Sequence, residues 1–216
     1  MMGVGWAVLL VLEGWALYVG QRQIFGSSLE LLGKLPAYAL AVPGTVLHEL
    51  SHYFVCKLLG VQTGEVSLFR PRQAEDGSIT LGYVMHAQAD PLRSALVAIA
   101  PLLLVPPLLL GVTMALLGTG VLHDPAAAIS SASWWKLILW GYISLSAGQG
   151  AFPSVGDHIG FSGFVALALL VVGLFLIVPR QDLLDACRII VLLLSLPAVT
   201  AVLSLLLLRG LWRRRR

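Results

Sequence analysis

Long apolar runs separated by short polar stretches dominate this chain of 216 residues. A helix needs about 20 mostly apolar residues to cross the hydrocarbon core of a bilayer. Six runs approach that length, and we interpret each of them as a membrane-spanning helix. The predicted spans cover residues 3–19, 36–59, 95–117, 134–147, 161–178 and 189–208.

A polar segment, residues 61–86, separates the second predicted span from the third. Its two halves, 61–69 and 79–85, are rich in β-branched and aromatic residues, and residues 73–77 form a turn signal between them. This alternation predicts a β-hairpin or a small sheet. The alternative is an irregular polar loop.

Composition supports a membrane protein, because 58% of the residues are hydrophobic and only 12% are charged. A soluble domain carries about 25% charged residues, and the mean hydropathy here is +0.88. We therefore predict an all-α polytopic membrane protein with about six transmembrane helices and the small β-structure inserted between the second and third. The whole chain, 1–216, is expected to form a single membrane-embedded domain.

The distribution of Lys and Arg predicts the orientation of the chain. With six spans both termini lie on one side, and that side carries the larger number of basic residues. The positive-inside rule then places both termini in the cytoplasm, which suggests the cytoplasmic membrane. The basic tail, 209–216, could indicate nucleic-acid binding. Because it follows a long apolar run, we interpret it as an anchor at the anionic leaflet and expect no nucleic-acid partner.

The second predicted span contains the motif His48-Glu49-Leu50-Ser51-His52, an H-E-x-x-H sequence. Ionisable side chains at membrane depth are costly and generally mark functional sites. Residues four apart share one face of a helix, about 6 Å between Cβ atoms, so the two imidazoles can converge on one metal ion. Glu49 can reach a water molecule bound at an open metal position. These residue types are typical of metal-assisted hydrolysis.

Catalytic zinc usually has three protein ligands and a water molecule. The best candidate for the third ligand is Asp157, in the segment 149–160, which the six-span topology places on the same side as the motif. Its neighbour His158 is the alternative ligand. Ligation by Cys56 is conceivable, since it lies four residues after His52, but a packing role fits a small apolar side chain better.

The H-E-x-x-H motif on a span, followed about a hundred residues later by a Pro-containing segment ending in Asp157, resembles the site-2 protease family of intramembrane metallopeptidases. The resemblance implies that His48, His52 and Asp157 bind Zn²⁺ and that Glu49 is the catalytic base. The family's Asp usually occurs as Leu-Asp-Gly, whereas this chain has Gly156-Asp157-His158. This difference suggests a compact, divergent member.

These observations predict a zinc-dependent intramembrane endopeptidase whose partners are the lipid bilayer and a membrane-protein substrate. The substrate must be unwound before it is cut, and the predicted hairpin could pair with it as an additional strand. The alternative is a non-catalytic membrane adaptor or substrate-holding protein that keeps the metallopeptidase fold. A proton or metal transporter is a third possibility, although the other spans contain few charged groups to form a path.

Overall fold

The computed structural model of the protein describes residues 25–73, 75 and 79–151, together with the single positions 12, 23, 181 and 210. This part of the chain is mostly helical. A short helical segment, residues 25–32, precedes the first long helix, and Gly33 with φ 84° separates the two. The elements that follow are α1 (Lys34–Leu58), β1 (Thr63–Ser67), β2 (Arg72–Gln73), β3 (Ile79–Thr80), β4 (Tyr83–His86), α2 (Pro91–Ala98), α3 (Ala100–Leu117), a 3₁₀ turn (Thr119–Leu122), α4 (Pro125–Ser131) and α5 (Trp134–Gly150).

The predicted all-α polytopic fold with about six transmembrane helices is wrong as stated. Within the described residues one helix, α3, is long and apolar enough to cross a membrane, with a mean hydropathy of 2.1 over its 18 residues. Helix α1 is longer, but Lys34, Glu49 and Lys57 interrupt its apolar sequence. Helix α5 has 17 residues, about 26 Å at 1.5 Å per residue, and a hydrocarbon core is about 30 Å thick.

The other three predicted spans cannot be compared with a helix. The first, apart from Leu12, lies outside the described residues, and so do the fifth and the sixth. The basic tail, apart from Gly210, is also outside them.

The third predicted span, 95–117, is two helices, because the chain departs from helical geometry at Ile99. Pro101 lies two residues later and has no N–H, so the regular α-helical hydrogen bond to the carbonyl of Val97 cannot form. Helix α2 therefore ends at Ala98, and Ile99 has φ −93° and ψ 4°. The result is a helix terminus in the interior of the protein, beside α1.

The segment 61–86 forms β-structure, with β1 antiparallel to β4 and β2 antiparallel to β3. It lies along α1 rather than beyond its end. Phe69 makes an edge-to-face contact with Tyr38, ring centroids 6.4 Å apart, and Gly82 lies against the side chain of Glu49. The β-structure thus extends from the C-terminal end of α1 back to its N-terminal half.

Helices α1 and α5 approach until their backbones touch. A Cβ atom at Gly44 would lie 2.0 Å from the carbonyl oxygen of Ser146, and one at Gly150 would lie 2.3 Å from the carbonyl oxygen of Gly44. The N–H of Gly44 donates to the Ser146 hydroxyl at 2.7 Å. Only glycine permits this approach. The contact positions rise together along both helices, so α1 and α5 run in the same direction.

A second contact between these helices depends on Pro43. Proline has no N–H, so the carbonyl four residues earlier, that of Ala39, loses its helical donor. The hydroxyl of Tyr142 on α5 donates to this carbonyl at 2.5 Å. A side chain of the neighbouring helix therefore satisfies the backbone group that the proline leaves open.

Two small apolar clusters complete the packing around α1. One joins α3 to α5 through Val105, Leu109, Ala147 and Ala151, with Leu47 of α1 at its edge. The other lies at the C-terminal end of α1, where it buries Val55, Cys56, Val61, Val97 and Ala100. The motif lies between these clusters on the same helix.

Candidate metal and catalytic site

The three ionisable residues of the motif are buried. The exposed fraction is 8% for His48, 7% for Glu49 and 4% for His52, whereas Leu50, between them, is 40% exposed. The polar residues therefore occupy the face of α1 that packs on α2, α5 and the β-structure. An amphipathic helix normally buries its apolar face, so the reversed arrangement indicates a functional site.

Each imidazole is oriented by a main-chain carbonyl at the end of another helix. The Nδ1–H of His48 donates to Gly150, the last residue of α5, at 2.8 Å. The Nδ1–H of His52 donates to Val97, in the last turn of α2, at 2.7 Å. The carbonyl of Val97 also accepts a backbone N–H at the C-terminal end of α2, and because a carbonyl oxygen has two lone pairs it can accept from His52 as well.

These two hydrogen bonds determine the tautomer of both rings. A carbonyl oxygen only accepts, so the proton of each neutral imidazole is on Nδ1 and the lone pair is on Nε2. The Nε2 atoms of His48 and His52 are 3.2 Å apart. Two lone pairs at this distance repel each other unless a shared proton or a metal ion lies between them, and histidines that bind one metal ion are arranged in this way.

The spacing of the two nitrogens fits zinc. Two nitrogens bound 2.0–2.1 Å from one tetrahedral zinc ion lie about 3.3–3.4 Å apart, close to the observed 3.2 Å. Hydrogen bonds from Nδ1 to a carbonyl are the usual outer-shell support of zinc-binding histidines. The hydrogen bonds to Gly150 and Val97 do not involve a metal ion, yet they hold both rings in an orientation that suits metal binding.

The third ligand cannot be assigned from geometry, because Asp157 and His158 both lie outside the described residues. Within the part that is described, no group of three or more His, Cys, Asp or Glu side chains could hold a metal ion. Cys56 is completely buried in an apolar cluster and packs there. His86 is exposed, as expected for a residue in a polar connection.

Glu49 is covered by the turn between β3 and β4. A Cβ atom at Gly82 would lie 2.8 Å from the Glu49 Cγ and 2.9 Å from the carbonyl oxygens of Ser67 and Leu68. The backbone at Gly82 therefore passes directly over the carboxylate side chain. Sequence reasoning missed this residue, although a glycine between two β-strands often marks a close approach of backbone.

A cross-strand network stabilises the sheet next to this turn. The hydroxyl of Tyr83 donates to Glu65, and the guanidinium of Arg72 lies over the Tyr83 ring, 5.5 Å from its centroid. The hydrogen bond to Glu65 raises the pKa of Tyr83 above its ordinary value, and partial desolvation adds to the effect. The hydrogen bond between Tyr83 and Glu65 links β4 to β1 immediately after the turn at Gly82.

Substitution of Gly82 by Ala tests whether the turn positions Glu49. The added methyl group would meet two carbonyl oxygens and the Glu49 side chain below 3.0 Å, so the turn must shift. We expect any hydrolysis that depends on Glu49 to slow by about tenfold or more, because misplacement by about 1 Å can cost 10²-fold in rate.

The matched control is Gly64→Ala in β1, where a Cβ atom would meet nothing closer than 3.5 Å. Rates of both variants would be measured with metal content and thermal unfolding. Equal activities of the two variants would show that the turn at Gly82 does not position the Glu49 side chain.

Comparison with models of protein families, with curated proteins and with solved structures gives no match to this chain. A function must therefore be inferred from the residues of the site and their surroundings.

Proposed function

We propose that the protein is a zinc-dependent endopeptidase that hydrolyses a peptide bond in or near a transmembrane segment of another protein. The observation that carries this proposal is the pair of Nε2 atoms of His48 and His52, 3.2 Å apart. Both rings donate from Nδ1 to buried carbonyls, and a buried carboxylate lies between them in the sequence. The H-E-x-x-H motif of zinc peptidases supplies the same groups at the same spacing.

In this proposal His48 and His52 hold the metal through Nε2, and Asp157 is the third ligand that the resemblance to site-2 proteases suggests. Zinc, when bound, acidifies its water molecule and polarises the carbonyl of the scissile bond. The two helix-terminal carbonyls hold the proton of each neutral imidazole on Nδ1, which leaves Nε2 to bind the metal. They also favour a cation, because a helix C-terminus carries partial negative charge.

Glu49 is the proposed general base. It precedes His52 by three residues, so the two side chains are neighbours on the helix surface. Its carboxylate accepts a proton from the attacking water and donates it to the amine that leaves. Burial beneath the turn at Gly82 removes competing solvent from the carboxylate, which strengthens its interactions with charged groups.

Exposed apolar side chains support a site at the membrane. Leu35 and Phe54 on α1, Leu103 and Leu108 on α3, and Ile138 on α5 are all exposed. Exposed apolar surface on three packed helices favours contact with lipid. We therefore propose a membrane-associated enzyme whose substrate reaches Glu49 from the bilayer.

The β-structure offers a way to hold an unwound substrate. Within the described residues β1 and β4 form a two-stranded sheet, so each strand pairs along one edge. A substrate in extended form can pair with an exposed edge, which satisfies its backbone groups. Gly82 lies at the end of this sheet and against Glu49, so a strand bound there would lie close to the carboxylate.

Metal removal tests the proposal. The purified chain is expected to hold about one zinc ion, as in mononuclear peptidases, and to cut members of a panel of tagged single-span membrane proteins. A zinc chelator should abolish cleavage, and added zinc should restore it with no change in helical content. Folded protein that neither holds nor takes up zinc would refute the proposal and favour the adaptor function.

A further inference from the structure

Three hydrogen bonds join α5 to α1, one at each successive turn of α5. The residues of α5 that make them are four apart, so they share one face of the helix. They are Tyr142, Ser146 and Gly150, and their partners on α1 are Ala39, Gly44 and His48. The members of each pair are 102 or 103 residues apart in the sequence, so the two helices keep a constant register up to the histidine.

The middle bond lies one turn before the contact that orients His48. The hydroxyl of Ser146 accepts from the N–H of Gly44 at 2.7 Å, and the carbonyl of Gly150 accepts from the Nδ1–H of His48 at 2.8 Å. Four residues of α-helix rise about 6 Å. Over this single turn the position of the Gly150 carbonyl follows the position of Ser146 against α1.

We propose that Ser146 is a positioning residue of the site. Its hydroxyl fixes α5 along the axis of α1 and thereby brings the Gly150 carbonyl to Nδ1 of His48. The imidazole is then held with Nε2 directed towards His52. The effect on zinc affinity rests on the proposed function, whereas the effect on the orientation of the His48 ring does not.

The glycines of this contact permit the approach of the helices but do not fix their axial position. Gly44 and Gly150 let the two backbones touch, and such van der Waals contacts are individually weak. A hydrogen bond is directional, and it weakens steeply when its angle falls below about 120°. A displacement of about 1 Å along the axis would therefore strain the bond at Ser146 and the bond at His48 together.

Burial increases the importance of the Ser146 hydroxyl. Ser146 is 4% exposed and Gly44 is buried as well, so bulk water cannot take its place. In such surroundings a hydrogen bond is electrostatically stronger than in water. The ring of His52 does not depend on this bond, because its acceptor, Val97, belongs to α2.

A second serine of α5 provides the matched control. Ser144 is 1% exposed, and within the described part of the chain its hydroxyl has no hydrogen-bond partner. Ser144→Ala therefore removes the same group from the same helix without loss of a hydrogen bond to α1. The difference between Ser146→Ala and Ser144→Ala isolates the contribution of the bond to Gly44.

Nitrogen NMR of the metal-free full chain, labelled at histidine, measures the orientation directly. In Ser146→Ala we expect the share of His48 with its proton on Nδ1 to decrease, because the Gly150 carbonyl moves away, while His52 keeps its tautomer. In Ser144→Ala both histidines should be unchanged. Thermal unfolding of both variants would separate local from global effects.

The affinity for zinc, measured by competition with a chromophoric chelator, tests the consequence for the metal. We expect it to fall about tenfold in Ser146→Ala, the lower end of the range for outer-shell partners of ligating histidines. Ser144→Ala should bind zinc within about twofold of the original affinity. Equal affinities of the two variants would overturn the effect on metal binding.

The outcomes are distinguishable. If the original protein binds no zinc, the proposed function fails, and the NMR comparison still tests the role of Ser146. If the two variants have the same share of His48 with its proton on Nδ1, the positioning role is refuted. Should Ser146→Ala not fold, the original protein decides the point: a His48 proton on Nε2 in the metal-free state would overturn the inference.

Discussion

Replacement of Glu49 by Gln is expected to lower the rate of peptide hydrolysis by about 10²–10⁴-fold, the range that general base catalysis supplies. Gln has nearly the same shape, so it should fit beneath the turn at Gly82 and leave the fold intact. It cannot accept a proton from water. Because the two histidines remain, zinc should stay bound, and the rate of the chemical step should fall while metal content does not.

Two further variants serve as controls for this experiment. His48→Ala removes a proposed ligand and should abolish both zinc binding and cleavage. Glu30→Gln removes an exposed carboxylate from the helical segment 25–32 and should leave both unchanged. Cleavage by Glu49→Gln at the original rate would exclude the proposed mechanism, and a loss of zinc in that variant would assign Glu49 a structural role instead.

The second large effect is expected for Gly44→Ala. The new methyl group would lie 2.0 Å from the carbonyl oxygen of Ser146 and 2.7 Å from its carbonyl carbon, and a helix backbone cannot yield locally. Helices α1 and α5 must separate, which carries the Gly150 carbonyl away from His48. We expect a decrease in unfolding free energy of about 3 kcal/mol, at the upper end of typical overpacking costs, together with weaker zinc binding.

Gly141→Ala on α5 is the control for this substitution. A Cβ atom at that position would meet nothing within 4 Å, and Ala in a helix is more stable than Gly by about 0.5–1 kcal/mol. The two variants should therefore shift the thermal unfolding midpoint in opposite directions. Equal shifts would contradict the close approach of α1 and α5 at Gly44.

The pairing of His48 and His52 is predictable from sequence because both residues lie on one helix, where a spacing of four fixes their relation. The contacts that orient the two imidazole rings are not predictable from sequence. Their acceptors, Gly150 and Val97, are main-chain carbonyls 102 and 45 residues away, and a carbonyl has no residue type to identify it.

The β-structure in 61–86 was predictable from its β-branched residues and turn, but its position was not. A polar segment suggests a loop beyond the end of a helix, whereas this one lies along α1 with Phe69 against Tyr38. Within the described residues the number of membrane spans was overestimated, because an apolar run was equated with a span. In α1 the polar residues of the site interrupt that run, and at Pro101 an uninterrupted run contains two helices.

The long sequence separation between His48 and its acceptor has a consequence for biosynthesis. Both histidines leave the ribosome well before the carbonyl of Gly150, which is 102 residues later in the chain. At about 5–20 residues per second, the interval is roughly 5–20 seconds. Throughout this time the carbonyl that orients His48 has not been made, so the proposed metal site cannot be complete before translation has passed the end of α5.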